Sequence, residues 1–172
     1  GKIDTAKRLA AEFNLATVND INKLSVCDII IEAAIEDIKL KKELYEKLDE
    51  ISKPVAILAT NTSSFSITSI STAVKNDQGR VIGMHFFNPA NIMKLVEVIK
   101  GEFTRTETVN TVYELCKKLG KVPVICNDTQ DCWAINVGDS RIYQMLVDGK
   151  IEQLSVDDTI EGQLEALNRH EK

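Results

Sequence analysis

The side chains of this sequence that could do chemistry are His85, Glu97 and Ser63. His85 is one of only two histidines, Glu97 follows it by twelve residues, and Ser63 sits in Asn61-Thr62-Ser63-Ser64, which closes an apolar run. A hydroxyl, an imidazole and a carboxylate near strand ends are the parts needed to move a proton off an alcohol. Taken singly, each residue has a plainer reading. His85 beside Phe86 and Phe87 reads as a satisfied, partly buried histidine, and Ser63 as a helix N-cap. Glu97 reads as a solvent-facing strand residue, and Lys41 as part of a solvated helix face.

The elements that must position these residues alternate. Residues 1 to about 20 read as a helix ending in a polar piece. CDIIIEAA (27–34) is a continuous apolar run, the pattern of a strand buried on both faces of a parallel sheet. Asp37 can cap a helix from about Ile38 to Ser52, with Leu40, Leu44, Leu48 and Ile51 as its apolar stripe and Pro54 enforcing its end. VAILAT (55–60) is a second buried strand, and its carboxyl end, at Asn61, is where ligands bind in open α/β sheets. A short helix near Ser66–Ala73 follows. RVIGMHFF (80–87) is the next strand. MKLVEVI (93–99) alternates, with Leu95 and Glu97 opposite Val96 and Val98, so one of its sides is exposed. Thr106–Leu119 is a helix with Gly120 at its C′ position, and KVPVIC (121–126) is a last strand. Strands alternating with helices predict an α/β fold with a largely parallel, Rossmann-like sheet.

The texture changes near Asn127. CWAINV (132–137) and RIYQMLV (141–147) read as short strands, and Asp148-Gly149 is a type I′ turn signal leading to a returning strand at 151–154. Residues 157–170 read as an acidic helix. The expected domains are therefore 1–129, the C-terminal part of a nucleotide-binding unit, and 130–172, an antiparallel hairpin followed by a helix.

Composition bounds the rest. The 172 residues are 44% hydrophobic with net charge −5, so a packed core is feasible and neither nucleic acid nor an anionic membrane is an expected partner. The apolar runs fall far short of the ~18 residues a membrane span needs. The start shows no signal-peptide pattern, and the chain does not begin with Met. Cys27, Cys116, Cys126 and Cys132 form no CxxC pair, so they read as reduced cysteines of a cytoplasmic protein, with no metal site expected.

The motifs NTSS (61–64), HFFNP (85–89) and MKLVEV (93–98), at this spacing, resemble the 3-hydroxyacyl-CoA dehydrogenases, including the bacterial 3-hydroxybutyryl-CoA dehydrogenases, over residues 1 to about 129. The resemblance implies an oxidoreductase that takes a 3-hydroxyacyl-CoA to the 3-oxoacyl-CoA and passes hydride to NAD. It implies His85 as general base, Glu97 as the carboxylate that orients its imidazole, and Ser63 as the hydroxyl that holds the substrate oxygen. It further implies Glu36, Lys41, Asn61, Ser63 and Asn88 at the cofactor, with acyl-CoA as substrate. Family members are usually homodimeric, through a helical domain that does not occur in this sequence.

Two departures bear on that reading. No GxGxxG, the loop that holds the cofactor's pyrophosphate, occurs in the sequence. The strand at 27–34 is therefore expected to show an open apolar edge. After Thr129 the family pattern stops, and residues 132–159 resemble instead a piece of the 2C-type metal-dependent serine/threonine protein phosphatases, through VGDSRIY, the DGK turn and IEQLSVDD. That family's Asp-His pair is Asp157-Asp158 here, and Asp139 corresponds at most to a peripheral metal position. The joined patterns suggest a truncated or fused reading frame. The chain alone is then expected to be inactive, or a non-catalytic fusion or interaction fragment.

Overall fold

The computed structural model describes residues 4–128 together with the strands Tyr143–Met145 and Ile151–Gln153. The chain divides into two units, Gly1–Thr129 and Gln130–Lys172.

In the first unit, helix α1 (Thr5–Phe13) and a 3-10 turn (Ile21–Val26) lead into strand β1 (Ile29–Glu32). Then follow α2 (Ile38–Ile51), β2 (Ile57–Thr60), α3 (Ile67–Ser71), β3 (Val81–Phe86), β4 (Leu95–Lys100), α4 (Thr106–Lys118) and β5 (Val122–Asn127). The five strands form one sheet in sequential order. β1, β2 and β3 are parallel, β4 runs antiparallel to β3, and β5 is parallel to β4. The sheet is thus largely parallel, as the sequence predicted, with one antiparallel pair, β3–β4. Only eight residues separate β3 from β4, too few for the dozen or more that a parallel crossover needs.

Local chemistry sets the element ends. Asp37 caps α2 by accepting from the N–H groups of Lys39 (2.9 Å) and Leu40 (3.0 Å), a contact worth about 1 kcal/mol. Ser66 caps α3 through Ser69 N–H, so the N-cap serine is Ser66 and not Ser63. Gly120 takes φ of 73° after α4, the left-handed conformation that glycine adopts without a Cβ penalty.

The sheet is covered on both faces, and strand periodicity sorts its side chains. Ile30, Leu58 and Val81 face α2 and α3, packing with Tyr45, Leu48, Ile67, Ile70 and Val74. Ala59, Ile82, Met84, Val96 and Val98 face α4, packing with Val109, Val112 and Cys116. Gly83 belongs to the first face. A Cβ there would meet Ile99 Cβ at 2.7 Å and Ile67 Cδ1 at 2.9 Å, so its lack of a side chain lets α3 lie close to the sheet.

The buried face of α2 differs from the expected stripe. Leu48 is buried and Leu44 and Ile51 pack partly, but Leu40 is exposed while Lys41 and Tyr45 are buried. The polar end of β1 supplies the partners that make Lys41 tolerable there, Glu32 Oε1 and the Ala34 carbonyl. β1 is an edge strand of this sheet, as expected. Cys27 lies before β1 and is only partly buried, whereas Cys116 is buried.

In the second unit, β6 (Tyr143–Met145) and β7 (Ile151–Gln153) pair antiparallel with Tyr143 opposite Gln153, the pairing that the hairpin reading predicts. The strand at 132–137, the GDSR turn with Asp139, the Asp148-Gly149 turn, Asp157-Asp158 and the helix at 157–170 lie outside the described residues.

Candidate functional site

Strand register brings the candidate residues to one end of the sheet. Glu32 is level with Thr60, and Thr60 with Gly83. These three strands run the same way, so residues just past those positions emerge at the same edge. They include Glu36 after β1, Asn61 and Ser63 after β2, and His85 near the end of β3.

His85 and Glu97 are direct partners in the antiparallel β3–β4 pairing. Opposed residues in such a pair present their side chains on one face. His85 Nδ1 lies 2.7 Å from Glu97 Oε2, and both side chains keep partial exposure, at 18% and 23%. The Phe87 ring, 4.9 Å away and tilted, flanks the imidazole. With Nδ1 committed to the carboxylate, Nε2 is the ring nitrogen left for other chemistry.

Asn61 ties β2 to β3. Its backbone N–H continues the ladder to Glu32 O (2.8 Å), and its side-chain oxygen accepts from Phe86 N–H (2.8 Å). The amide NH2 group is therefore the part of Asn61 available to a ligand. Asn88 is exposed one residue beyond Phe87, preceding Pro89 through a cis peptide bond. The segment after it is pinned by Lys121, whose ammonium donates to Ala90 O and to Met93 O.

Glu36, Lys41 and Ser63 form a second connected group. Glu36 Oε2 accepts from Thr62 Oγ1 at 2.8 Å, and Oε1 from Ser63 N–H at 3.2 Å. Lys41 Nζ stands 3.8 Å from Glu36 Oε2. The Ser63 side chain is exposed. Lys41, which alone would read as a solvated helix residue, is 1% exposed and bonds Glu32 Oε1 at 2.8 Å. The sheet end therefore carries two separate hydrogen-bonded sets, His85 with Glu97 and Glu36 with Thr62 and Ser63.

Sequence reasoning missed the residues behind this group. Glu32 accepts from Lys41, from Ala34 N–H and, at 2.7 Å, from Thr60 Oγ1. Tyr45 is fully buried nearby, and its hydroxyl has no hydrogen-bond partner among the described residues. Burial, then the Glu32 charge, pushes its pKa well above the ordinary value. The available signal was Glu32 itself: an acid inside an apolar strand must find a partner or leave the core. A cleft of about 450 Å³ lined by Asn19, Leu40, Glu43 and Lys47, among others, includes none of these residues. No helix of the described residues is long and apolar enough to cross a membrane.

Comparison with known proteins gives the family of this sheet and its helices. The family model described as 3-hydroxyacyl-CoA dehydrogenase, NAD binding domain, matches residues 1–129. The 3-hydroxybutyryl-CoA dehydrogenase of Clostridioides difficile is 47% identical over 124 residues, which is 72% of this chain and 44% of the relative. Among solved structures, 3-hydroxybutyryl-CoA dehydrogenase from Escherichia coli K12 superposes with a TM-score of 0.73 at 45% identity, covering 75% of this chain and 27% of that one. The (S)-3-hydroxybutyryl-CoA dehydrogenase of Ralstonia eutropha gives 0.72 at 37% identity, covering 74% of this chain and 44% of that one. The chain thus spans less than half the length of each of these proteins.

Proposed function

We propose, since the chain belongs to the 3-hydroxyacyl-CoA dehydrogenase family through its NAD-binding domain, that it forms the nicotinamide-facing part of an enzyme interconverting 3-hydroxyacyl-CoA and 3-oxoacyl-CoA. The observation that carries this reading is the His85–Glu97 pair, 2.7 Å apart at the sheet end.

The exposed polar groups there suit the nicotinamide and ribose end of NAD, which offers amide and hydroxyl groups to bond. Glu36 supplies acceptors, the Asn61 amide supplies donors, and the Ser63 hydroxyl and Asn88 amide can do either. Lys41 supports this set from behind Glu36. No GxGxxG occurs in the 172 residues, so we assign the pyrophosphate to none of them.

Bound NAD supplies the hydride acceptor. His85 takes the proton of the alcohol at Nε2 as general base, and returns it in the opposite direction. Glu97, bonded at Nδ1, holds the tautomer that leaves Nε2 free and stabilises the imidazolium that forms. The Ser63 hydroxyl steadies the reacting oxygen. We read the chain by itself as inactive, its parent as a cytoplasmic, homodimeric enzyme, and neither nucleic acid nor membrane as its partner.

The test is a chimera in which residues 1–129 replace the matching segment of the Clostridioides difficile 3-hydroxybutyryl-CoA dehydrogenase. NADH consumption with acetoacetyl-CoA, lost in the His85→Ala variant, is the expected result. A folded, soluble chimera without turnover would overturn the reading.

A further inference from the structure

Beneath the residues that face the cofactor lies a buried ionic chain that no step above uses. Glu32 and Lys41 are each 1% exposed at their side chains and 2.8 Å apart. Burying two charges costs several kcal/mol per ion, and a packed apolar pair of similar size is often as stable or more so. Stability alone is therefore a poor reason for this pair to be here, which directs attention to what it touches.

Apart from the Ala34 backbone, whose N–H donates to Glu32 and whose carbonyl accepts from Lys41, the remaining contacts run toward the loop after β2. Glu32 Oε2 accepts from Thr60 Oγ1 (2.7 Å), which in turn accepts from Thr62 N–H (3.2 Å). On the other side, the Lys41 ammonium stands 3.8 Å from Glu36, whose carboxylate accepts from Thr62 Oγ1 and Ser63 N–H. The Thr62–Ser63 segment is therefore held by two routes that both start at Glu32.

We propose that Glu32 is a positioning residue, acting through Thr60 on one route and through Lys41 and Glu36 on the other to fix the Thr62–Ser63 backbone and so aim the Ser63 hydroxyl. It rests on the role given to Ser63 above. Glu32 touches neither substrate nor cofactor. Removing its charge leaves Ser63 its hydroxyl but lets the backbone that aims it drift.

The first measurement is amide hydrogen exchange in the full 172-residue chain. Glu32→Gln alone strands the Lys41 charge and can prevent folding, so the decisive variant is Glu32→Gln with Lys41→Met, which removes both charges together. The expected result is exchange at Thr62 and Ser63 faster by roughly tenfold, about the protection one hydrogen bond confers. The amides of Leu58 and Val98, deep in the sheet, should keep their rates. Unchanged exchange at Thr62 and Ser63, or equal acceleration at all four positions, would overturn the proposal, the latter by making the pair merely structural. In the chimera, Thr60→Val, which cuts the first route and leaves Lys41 and Glu36 in place, should lower kcat while leaving KM for NADH within about twofold, as expected when a transition-state contact alone is lost. An inactive parent chimera would sink the dehydrogenase reading and leave the exchange result to decide on Glu32.

Discussion

His85 and Glu97 meet because β4 turns back against β3. Their twelve-residue separation becomes a 2.7 Å contact through a single antiparallel pairing in which each is the other's register partner. A parallel β4 would have needed a crossover and would have carried Glu97 away from this edge. The one departure from parallel order in the sheet is thus the feature that assembles the pair.

Glu97→Gln tests that pair. The amide keeps the shape and can still bond Nδ1, but it carries no charge to set against an imidazolium and can bond the wrong tautomer. In the chimera, kcat for acetoacetyl-CoA reduction is expected to fall by about 10²–10⁴, with KM for NADH little changed. Steady-state kinetics of the variant check this, and a fall of less than threefold would show that Glu97 does not act on His85.

Much of this arrangement was legible in the sequence. The apolar runs gave the strands, Asp37 and Gly120 marked helix ends, and the resemblance carried by HFFNP and MKLVEV paired His85 with Glu97. Three things were not legible. The reversal of β4 depends on a loop too short for a crossover, a constraint that strand periodicity does not report. The burial of Lys41 depends on Glu32 and Ala34, which meet it only once α2 packs on β1. The serine that caps α3 is Ser66 and not Ser63, because the helix starts only at Ile67, which puts Ser66 Oγ and not Ser63 Oγ within reach of Ser69 N–H.

The buried pair of Asp49 and Arg80 offers a stability test away from the site. Arg80 Nη2 lies 2.6 Å from Asp49 Oδ1. Nη1 of the same guanidinium also donates to Ser52 Oγ and to the carbonyls of Lys53 and Ala56. The contacts join the end of α2 to the start of β3. Asp49→Ala leaves a buried guanidinium without its counter-charge, and the expected loss is about 3–5 kcal/mol. Urea unfolding of the variant beside the parent chain measures it, and a loss under about 1 kcal/mol would mean that the guanidinium finds water instead.

Asp49 and Asp128 also set an acid limit on stability. Burial pushes the Asp49 carboxyl up, but the Arg80 hydrogen bond and charge and the N–H groups of Asn76 and Lys75 outweigh it and hold the pKa below its ordinary value. Asp128 is likewise pushed up by burial and held down by more, chiefly bonds from Thr68, Ser66 and Ile67. A carboxyl whose folded pKa is depressed contributes stability that is fully present above its unfolded pKa of ~3.9 and is lost as pH falls through the lower, folded value. Unfolding free energy should therefore be insensitive to these two groups near neutrality and decline below about pH 4. Asp128→Asn should flatten that decline; urea titrations at several acid pH values would expose an unchanged slope, which would contradict the assignment.

Gly83→Ala probes how closely α3 approaches the sheet. The new methyl would meet Ile99 Cβ at 2.7 Å and Ile67 Cδ1 at 2.9 Å. Ile67 can move its terminal methyl, but Ile99 Cβ is fixed to the β4 backbone, so the strand or the helix must shift. Overpacking of this kind typically costs about 1–3 kcal/mol. Because Gly83 pairs with Ile99, two residues along from the His85–Glu97 pair, the strain falls on the register that sets the His85–Glu97 contact. The variant is expected to lose stability in urea and, in the chimera, to lower kcat further than its stability loss alone would explain. A variant as stable as the parent would show that α3 has room to retreat.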